Sequence, residues 1–147
     1  MRIAVIADTH DKFPAQLHEE LAKADEILHL GDVCHFDIYY EVQSIGPPVT
    51  LVRGNNDFVP EWPVRVDLER SGYRLRLVHI PPRHPPEGID LLLHGHTHVP
   101  RDETIQGIRY LNPGCIHRAN KGAPPSYAWL ELDKAREPLW RVVPLRG

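Results

Sequence analysis

The chain is poor in sulfur, with 2 cysteines and 1 methionine among 147 residues. Cys34 and Cys115 are too few for a disulfide framework or a cysteine-ligated structural zinc site, so a reduced, cytoplasmic protein is expected. No apolar run approaches the ~20 residues that span a bilayer, and no leader-like segment precedes the first apolar run; no membrane association is expected. An excess of one charge is missing too: 17 Lys and Arg face 20 Asp and Glu, for a net charge of -3. Without a global basic surface, stable nucleic-acid binding is not expected, and an anionic substrate has to be met locally, for example by metal cations. Repeats, low-complexity tracts and linker-like stretches are absent, which predicts a single domain over residues 1–147.

What the chain has in quantity is histidine, 10 residues, and proline, 15. The densest chemistry is the run Leu91-Leu92-Leu93-His94-Gly95-His96-Thr97-His98, an apolar strand ending in three imidazoles. His96 and His98 sit two apart, so an extended backbone points them the same way, and neutral imidazole is a common metal ligand. Four other apolar runs end in similar fashion. Met1 to Ala7 leads to Asp8, Thr9 and His10; Glu26 to Leu30 leads to Gly31 and Asp32; Pro48 to Val52 leads to Arg53, Gly54, Asn55, Asn56 and Asp57; Tyr73 to Val78 leads to His79. Carboxyl ends of strands are where open α/β sheets carry their sites.

In the first half, Met1 to Ala7, Glu26 to Leu30 and Val49 to Val52 lack alternation and are predicted as parallel strands buried on both faces. Pro14 followed by Leu17, Leu21 and Ala24 predicts a helix of roughly ten residues, and Phe36 to Ile45 a second with Tyr39, Val42 and Ile45 on one side. From Val64 onward no long helix is expected. Val64 to Glu69 and Tyr73 to Leu77 alternate about the Ser71-Gly72 turn; Thr104 to Leu111 turns at Gln106-Gly107; Tyr127 to Leu132 and Leu139 to Val143 form a closing hairpin. Two mixed β-sheets packed face to face with helices outside are the predicted α/β architecture.

Asp8, His10, Asp32, Asn55, His79, His96 and His98 are hard or borderline ligands that suit Mn, Fe or Zn, and seven is about right for two ions sharing a carboxylate. Two ions ~3.5–4 Å apart stabilise both oxygens of an in-line displacement at phosphorus.

In this order, Asp8-Thr9-His10, Gly31-Asp32, Gly54-Asn55-Asn56-Asp57, His79 and Gly95-His96-Thr97-His98 resemble the calcineurin-like metallophosphoesterases, in particular their small single-domain phosphodiesterase branch. The resemblance implies a four-layer αββα sandwich and a phosphodiesterase with two divalent ions, Mn foremost and Fe, Ni or Zn as alternatives. It implies that Asp8, His10 and His98 hold one ion, that Asn55, His79 and His96 hold the other, and that Asp32 bridges them, with a bridging hydroxide attacking the phosphorus. Asp32, Asn55, Asn56 and His96 become the expected catalytic residues, and Asn56 and Arg53 the expected substrate-binding ones, with Arg83 and Arg118 as further helpers. The substrate would be a phosphate-ester small molecule or nucleotide.

The chain departs from the family at three places. Asn56 stands where many members carry a proton-donating histidine, which leaves His35, His84 and His117 as candidate replacement acids. The helix usual after the His79 motif is replaced by Pro81-Pro82-Arg83-His84-Pro85-Pro86, and the frequent Asn-Pro-Gly-Ser is Asn112-Pro113-Gly114-Cys115. Two rival functions share the fold: a phosphomonoesterase, and a non-catalytic scaffold like the family's retromer subunit. Trp129 and Trp140 mark the last hairpin as a candidate homo-oligomer edge.

Overall fold

The computed structural model describes residues 1–10, 13–117 and 122–145. In chain order they form β1 (Arg2–Ile6), α1 (Leu17–Leu21), β2 (Glu26–His29), α2 (Phe36–Gln43), β3 (Val49–Leu51), β4 (Arg65–Arg70), β5 (Tyr73–Val78), β6 (Leu91–Leu93), β7 (Arg101–Ile105), β8 (Ile108–Asn112), β9 (Ser126–Asp133) and β10 (Arg136–Pro144). These strands make two five-stranded sheets, ordered β10-β9-β1-β2-β3 and β4-β5-β6-β8-β7. In the first sheet β1, β2 and β3 are parallel, and the closing hairpin lies antiparallel to β1. In the second, β5, β6 and β8 run parallel between two antiparallel edges. Both sheets are therefore mixed, as the sequence pattern predicts.

The pleat sorts the side chains. Ile3, Val5 and Ala7 of the first sheet face Leu75, Leu77, Leu91, Leu93 and Leu111 of the second in one core between the sheets. Each buried aliphatic side chain there contributes roughly 1.5–3 kcal/mol. The alternate residues Ala4, Ile6 and Ile27 turn outward and bury Leu17 and Leu21 of α1 with Ile38 and Val42 of α2. His18 of α1 meets Glu41 of α2 at 2.7 Å and ties the two helices. The ten-residue expectation for α1 shrinks to Leu17–Leu21, because the residues after Pro14 are used as a turn, with Leu17 N–H donating to the Pro14 carbonyl at 3.1 Å.

Both described helices lie on the first sheet. The outer face of the second carries Leu92, Ile108 and Tyr110 with Val78 and Ile105, and the Arg101 guanidinium sits 4.6 Å above the Tyr110 ring. The proline-rich segment after His79 brings no helix to this face, in keeping with its sequence. Two hairpins turn on the dipeptides read as turns: Ser71-Gly72 and Gln106-Gly107 all have positive φ, the signature of two-residue type I′ loops. Trp129 and Trp140 are not the exposed edge of the last hairpin that the sequence suggests. Trp129 is 3% exposed and lies beneath the Arg2 guanidinium, and Trp140 packs against the inter-sheet core, which leaves Leu139 as the exposed large apolar residue of that hairpin.

Two buried histidines brace the strand ends. Gly31 N–H donates to His29 Nδ1 at 3.1 Å, so Nε2 carries the ring proton and meets Thr9 Oγ1 at 3.0 Å. Burial, aided by the charge of His79, pushes His29 down to about 3 from 6.5. His94 is lowered to about 4, by burial first and then by Arg101, whose Nη1 lies 3.1 Å from His94 Nε2. Each group stays neutral in the fold while the unfolded chain takes up a proton, so its contribution to stability is complete above pH 6.5 and is lost as pH falls toward 3 to 4. The imidazole resonances of His29 and His94 are expected to stay in their neutral positions from pH 7 to pH 5; a proton NMR titration that moved either through that range would contradict the burial argument.

Candidate metal centre

Every expected ligand stands just beyond the carboxyl end of a strand. Asp8 and His10 follow β1, Asp32 follows β2, Asn55 follows β3, His79 follows β5 directly, and His96 and His98 follow β6. Among the seven expected ligands, Asp8, His10, Asp32, His96 and His98 have φ between 51° and 72°, in the left-handed region. Non-glycine residues pay of order 1–3 kcal/mol for such backbone, and it persists only where the surroundings enforce it. Here they do: Asp8 N–H donates to the Gly31 carbonyl and His10 N–H to the Asp32 carbonyl, each at 3.0 Å, so the ends of β1 and β2 stay zipped while their side chains turn inward.

Asp57 anchors this arrangement. Its buried carboxylate accepts from the backbone N–H groups of Asp32 (2.9 Å), Cys34 (2.8 Å) and Gly54 (2.8 Å). Asn56 holds the Asp32 carboxylate itself, by its backbone N–H to Oδ1 and its side-chain amide to Oδ2, both at 2.9 Å. The backbones approach so closely that a Cβ on Gly54 would lie 2.2 Å from Asp32 Oδ1, and one on Gly31 would lie 2.7 Å from His79 Nδ1. Only glycine fits either place.

The electrostatics call for a cation. Asp8 is fully buried and Asp32 nearly so, and their oxygens face His79 Nε2 at 3.8 Å and 3.4 Å. His79 gives Nδ1 to the Leu30 carbonyl at 2.8 Å, which leaves Nε2 as the free ligand nitrogen. His98 Nε2 lies 3.5 Å from Asp8 Oδ1. Burial raises the Asp32 carboxyl, but the nearby His79 imidazole and the hydrogen bonds from Asn56 outweigh it and hold the group well below the usual carboxylate range. Burial lowers His79, yet Asp32 and Asp8 together raise it above its ordinary value, and the nearby Asp8 carboxylate raises His98 likewise. Protons on these imidazoles balance the carboxylates that a metal would otherwise neutralise.

Three buried polar atoms here, Asp8 Oδ1, His10 Nε2 and His79 Nε2, have no hydrogen-bond partner among the described residues. Ligand atoms of Asp8, Asp32 and His79 all lie within 4.8 Å of one another, and so do those of His10, His98 and Cys115. Buried polar atoms are normally paired, and buried ligand atoms left without a partner suit a bound cation. These residues suit a divalent metal.

Residues 1–135 match the model of the calcineurin-like phosphoesterase superfamily domain. The chain belongs to this superfamily. It is 32% identical to a probable metallophosphoesterase of Methanothermobacter thermautotrophicus, over 78% of this chain and 76% of the relative. The Escherichia coli phosphodiesterase YfcE is 26% identical over 90% of this chain and 89% of its own. The YfcE structure superposes with a TM-score of 0.77 at 25% identity, covering 89% and 88% of the two chains. Vacuolar Protein Sorting 29 from Cryptosporidium parvum superposes with a TM-score of 0.83 at 25% identity, covering 99% and 91%. The two sheets seen here are thus those of a calcineurin-like phosphoesterase.

The fold brings Asp8, His10, Asp32, His79 and His98 together, and sets the His96 ring 5.2 Å from that of His79. His96 and Asn55 are exposed at the mouth, where Asn55 lines a groove of about 520 Å³ with Arg53, Val64, His79 and Ile80. Arg53 also turns Nη1 toward the Pro60 carbonyl at 3.3 Å. Of the candidate acids, His117 stands with its ring 6.1 Å from His10, while His35 and His84 are exposed. Arg83 is exposed on the proline-rich loop, and Arg118 lies outside the described residues. Sequence reading missed Asn112, whose amide donates to the Gly95 carbonyl (3.1 Å) and Thr97 Oγ1 (3.0 Å) and so orders the loop bearing His96 and His98. Its place in Asn112-Pro113-Gly114 was the available signal.

Replacing Asp57 by Asn puts an N–H₂ group against at least one of three buried N–H donors. The variant is expected to lose about 2–4 kcal/mol of stability in urea melts and about 10- to 100-fold in divalent-metal affinity by calorimetry. Unchanged metal affinity would show that the loop is held some other way.

Proposed function

We propose that this phosphoesterase hydrolyses phosphate diesters using two divalent ions, with Asp8, His10 and His98 at one position, Asn55, His79 and His96 at the other, and Asp32 between them. Three buried ligand atoms without a hydrogen-bond partner among the described residues, Asp8 Oδ1, His10 Nε2 and His79 Nε2, carry the reading. Bound divalent ions supply Lewis-acid charge at a phosphoryl oxygen and bring the pKa of a water toward neutrality. Mn, Fe, Ni and Zn all suit the donor set, and a cytoplasmic small-molecule or nucleotide diester suits the chain's weak overall charge.

The chain's own residues do the rest. His79 is fixed in its ligand tautomer by the Leu30 carbonyl, and Asn56 fixes the Asp32 carboxylate. Arg53, beside Asn55 in the groove, is placed to receive a non-reacting phosphate oxygen. An amide at Asn56 supplies no proton to a departing alkoxide, so turnover favours leaving groups that depart as stable anions. Exposed Phe36, Tyr40 and Phe58 favour a second reading, an interaction protein on the same fold.

The test is hydrolysis of bis(p-nitrophenyl) phosphate against p-nitrophenyl phosphate by chelator-stripped protein given Mn, Ni or Zn. Metal-dependent turnover with higher kcat/KM for the diester is expected, and Asp32→Asn is expected to lose metal and activity together. A preference for the monoester would make the chain a phosphomonoesterase. Stoichiometric metal binding without turnover would make it the interaction protein.

A further inference from the structure

The first metal position has a neighbour that the seven-ligand set leaves out. Cys115 is fully buried, and its Sγ lies within 4.8 Å of ring nitrogens of both His10 and His98. We propose that Cys115 is a thiolate ligand of that position, alongside His10 and His98, and that it turns the position toward zinc or iron and away from manganese. The proposal rests on the metal-dependent reading above.

Three observations carry it. First, the backbone around Cys115 is locked at the site: Ser126 N–H donates to the Cys115 carbonyl at 3.0 Å, and Ile116 N–H donates to the Ala7 carbonyl at 3.2 Å. A Cβ on the preceding Gly114, at φ +83°, would lie 2.0 Å from Ser126 Oγ, so this close approach admits only glycine. Second, the imidazole opposite is prepared for a ligand role. His10 Nδ1 faces Cys34 Sγ at 3.5 Å, while its Nε2 is buried with no hydrogen-bond partner among the described residues. Third, the thiol is already directed at this position: Cys115 Sγ donates to the carbonyl of Asp8, itself an expected ligand here, at 3.2 Å. Metal–sulfur bonds of ~2.3 Å and metal–nitrogen bonds of ~2.0 Å are of a length for one ion to be shared by ligand atoms that lie within 4.8 Å of one another.

The chemistry balances simply. On binding, the S–H bond breaks, the sulfur lone pair goes to the metal, and one proton leaves to solvent, because a coordinating thiol is deprotonated outright. Thiolate is a soft donor, whereas Mn prefers carboxylate, carbonyl and water oxygen. A serine at this place would neither release a proton so readily nor discriminate between the metals.

Cobalt(II) reports the ligand directly. Full-length protein stripped of metal and titrated with cobalt is expected to show an intense near-ultraviolet sulfur-to-cobalt charge-transfer band, absent in Cys115→Ser and retained in Cys34→Ser. Proton release per cobalt is expected to fall by one in Cys115→Ser, and its preference for zinc over manganese by at least about tenfold. Because Cys115→Ser could fail to fold, X-ray absorption on the wild-type zinc protein gives a variant-free readout, with a sulfur scatterer expected at ~2.3 Å. Stoichiometric cobalt with no charge-transfer band, a band unchanged in Cys115→Ser, or only nitrogen and oxygen around zinc would overturn the thiolate and leave the metal-dependent reading standing. Absence of any cobalt binding would overturn both.

Discussion

One carboxylate holds the site open. Asp57 takes the backbone N–H groups of Asp32, Cys34 and Gly54, and so joins the turns after β2 and β3 into a single rigid rim. That rim is what permits Asp32 its left-handed backbone, and through the bond from His10 N–H to the Asp32 carbonyl it extends to the end of β1. Five left-handed residues at the candidate ligand positions represent several kcal/mol of local strain. The fold offsets that strain with the inter-sheet core, whose buried leucines lie directly beneath the strand ends. Core and site are thus two ends of the same strands, and loosening either would release the other.

Strain fixes direction, and burial makes the direction costly. Two carboxylates sealed from water beside one another are unfavourable unless a positive partner stands between them. In the structure the partners are His79 and His98, both raised above their ordinary values by Asp8 and Asp32. Protons on raised imidazoles stabilise the fold at low pH and are shed as pH rises, opposite in sense to His29 and His94, whose neutral rings stabilise at high pH. A divalent ion replaces shed protons with fixed charge, so metal binding and alkaline pH act on the same groups.

Much of this was readable because strands buried on both faces appear as unbroken apolar runs. Met1 to Ala7, Glu26 to Leu30 and Leu91 to Leu93 declared themselves, and the polar residues beyond them marked the site. Positions set by distant partners were not readable. Nothing in Tyr127 to Leu132 says that β9 pairs with β1, and nothing in Trp129 says that the Arg2 guanidinium covers it. The short α1 escaped because the 3.6-residue spacing of Leu17, Leu21 and Ala24 is satisfied equally by one helical turn and a following bend. The sequence does not bring Cys115 to the ligand set, because His10 and His98 are far away in the chain and meet it only in the fold.

The same geometry bears on Asn56. In the sequence it is a gap where the family often keeps an acid; in the structure its amide is engaged with the carboxylate of Asp32. With its backbone N–H on the other oxygen, Asn56 grips that carboxylate from two sides, and Asp57 pins the same loop through the Gly54 N–H. The side chain at 56 is thereby committed to Asp32, and an amide has no acidic proton to give. On the hydrolytic reading proposed above, that lack matters least when the leaving group departs as a stable anion.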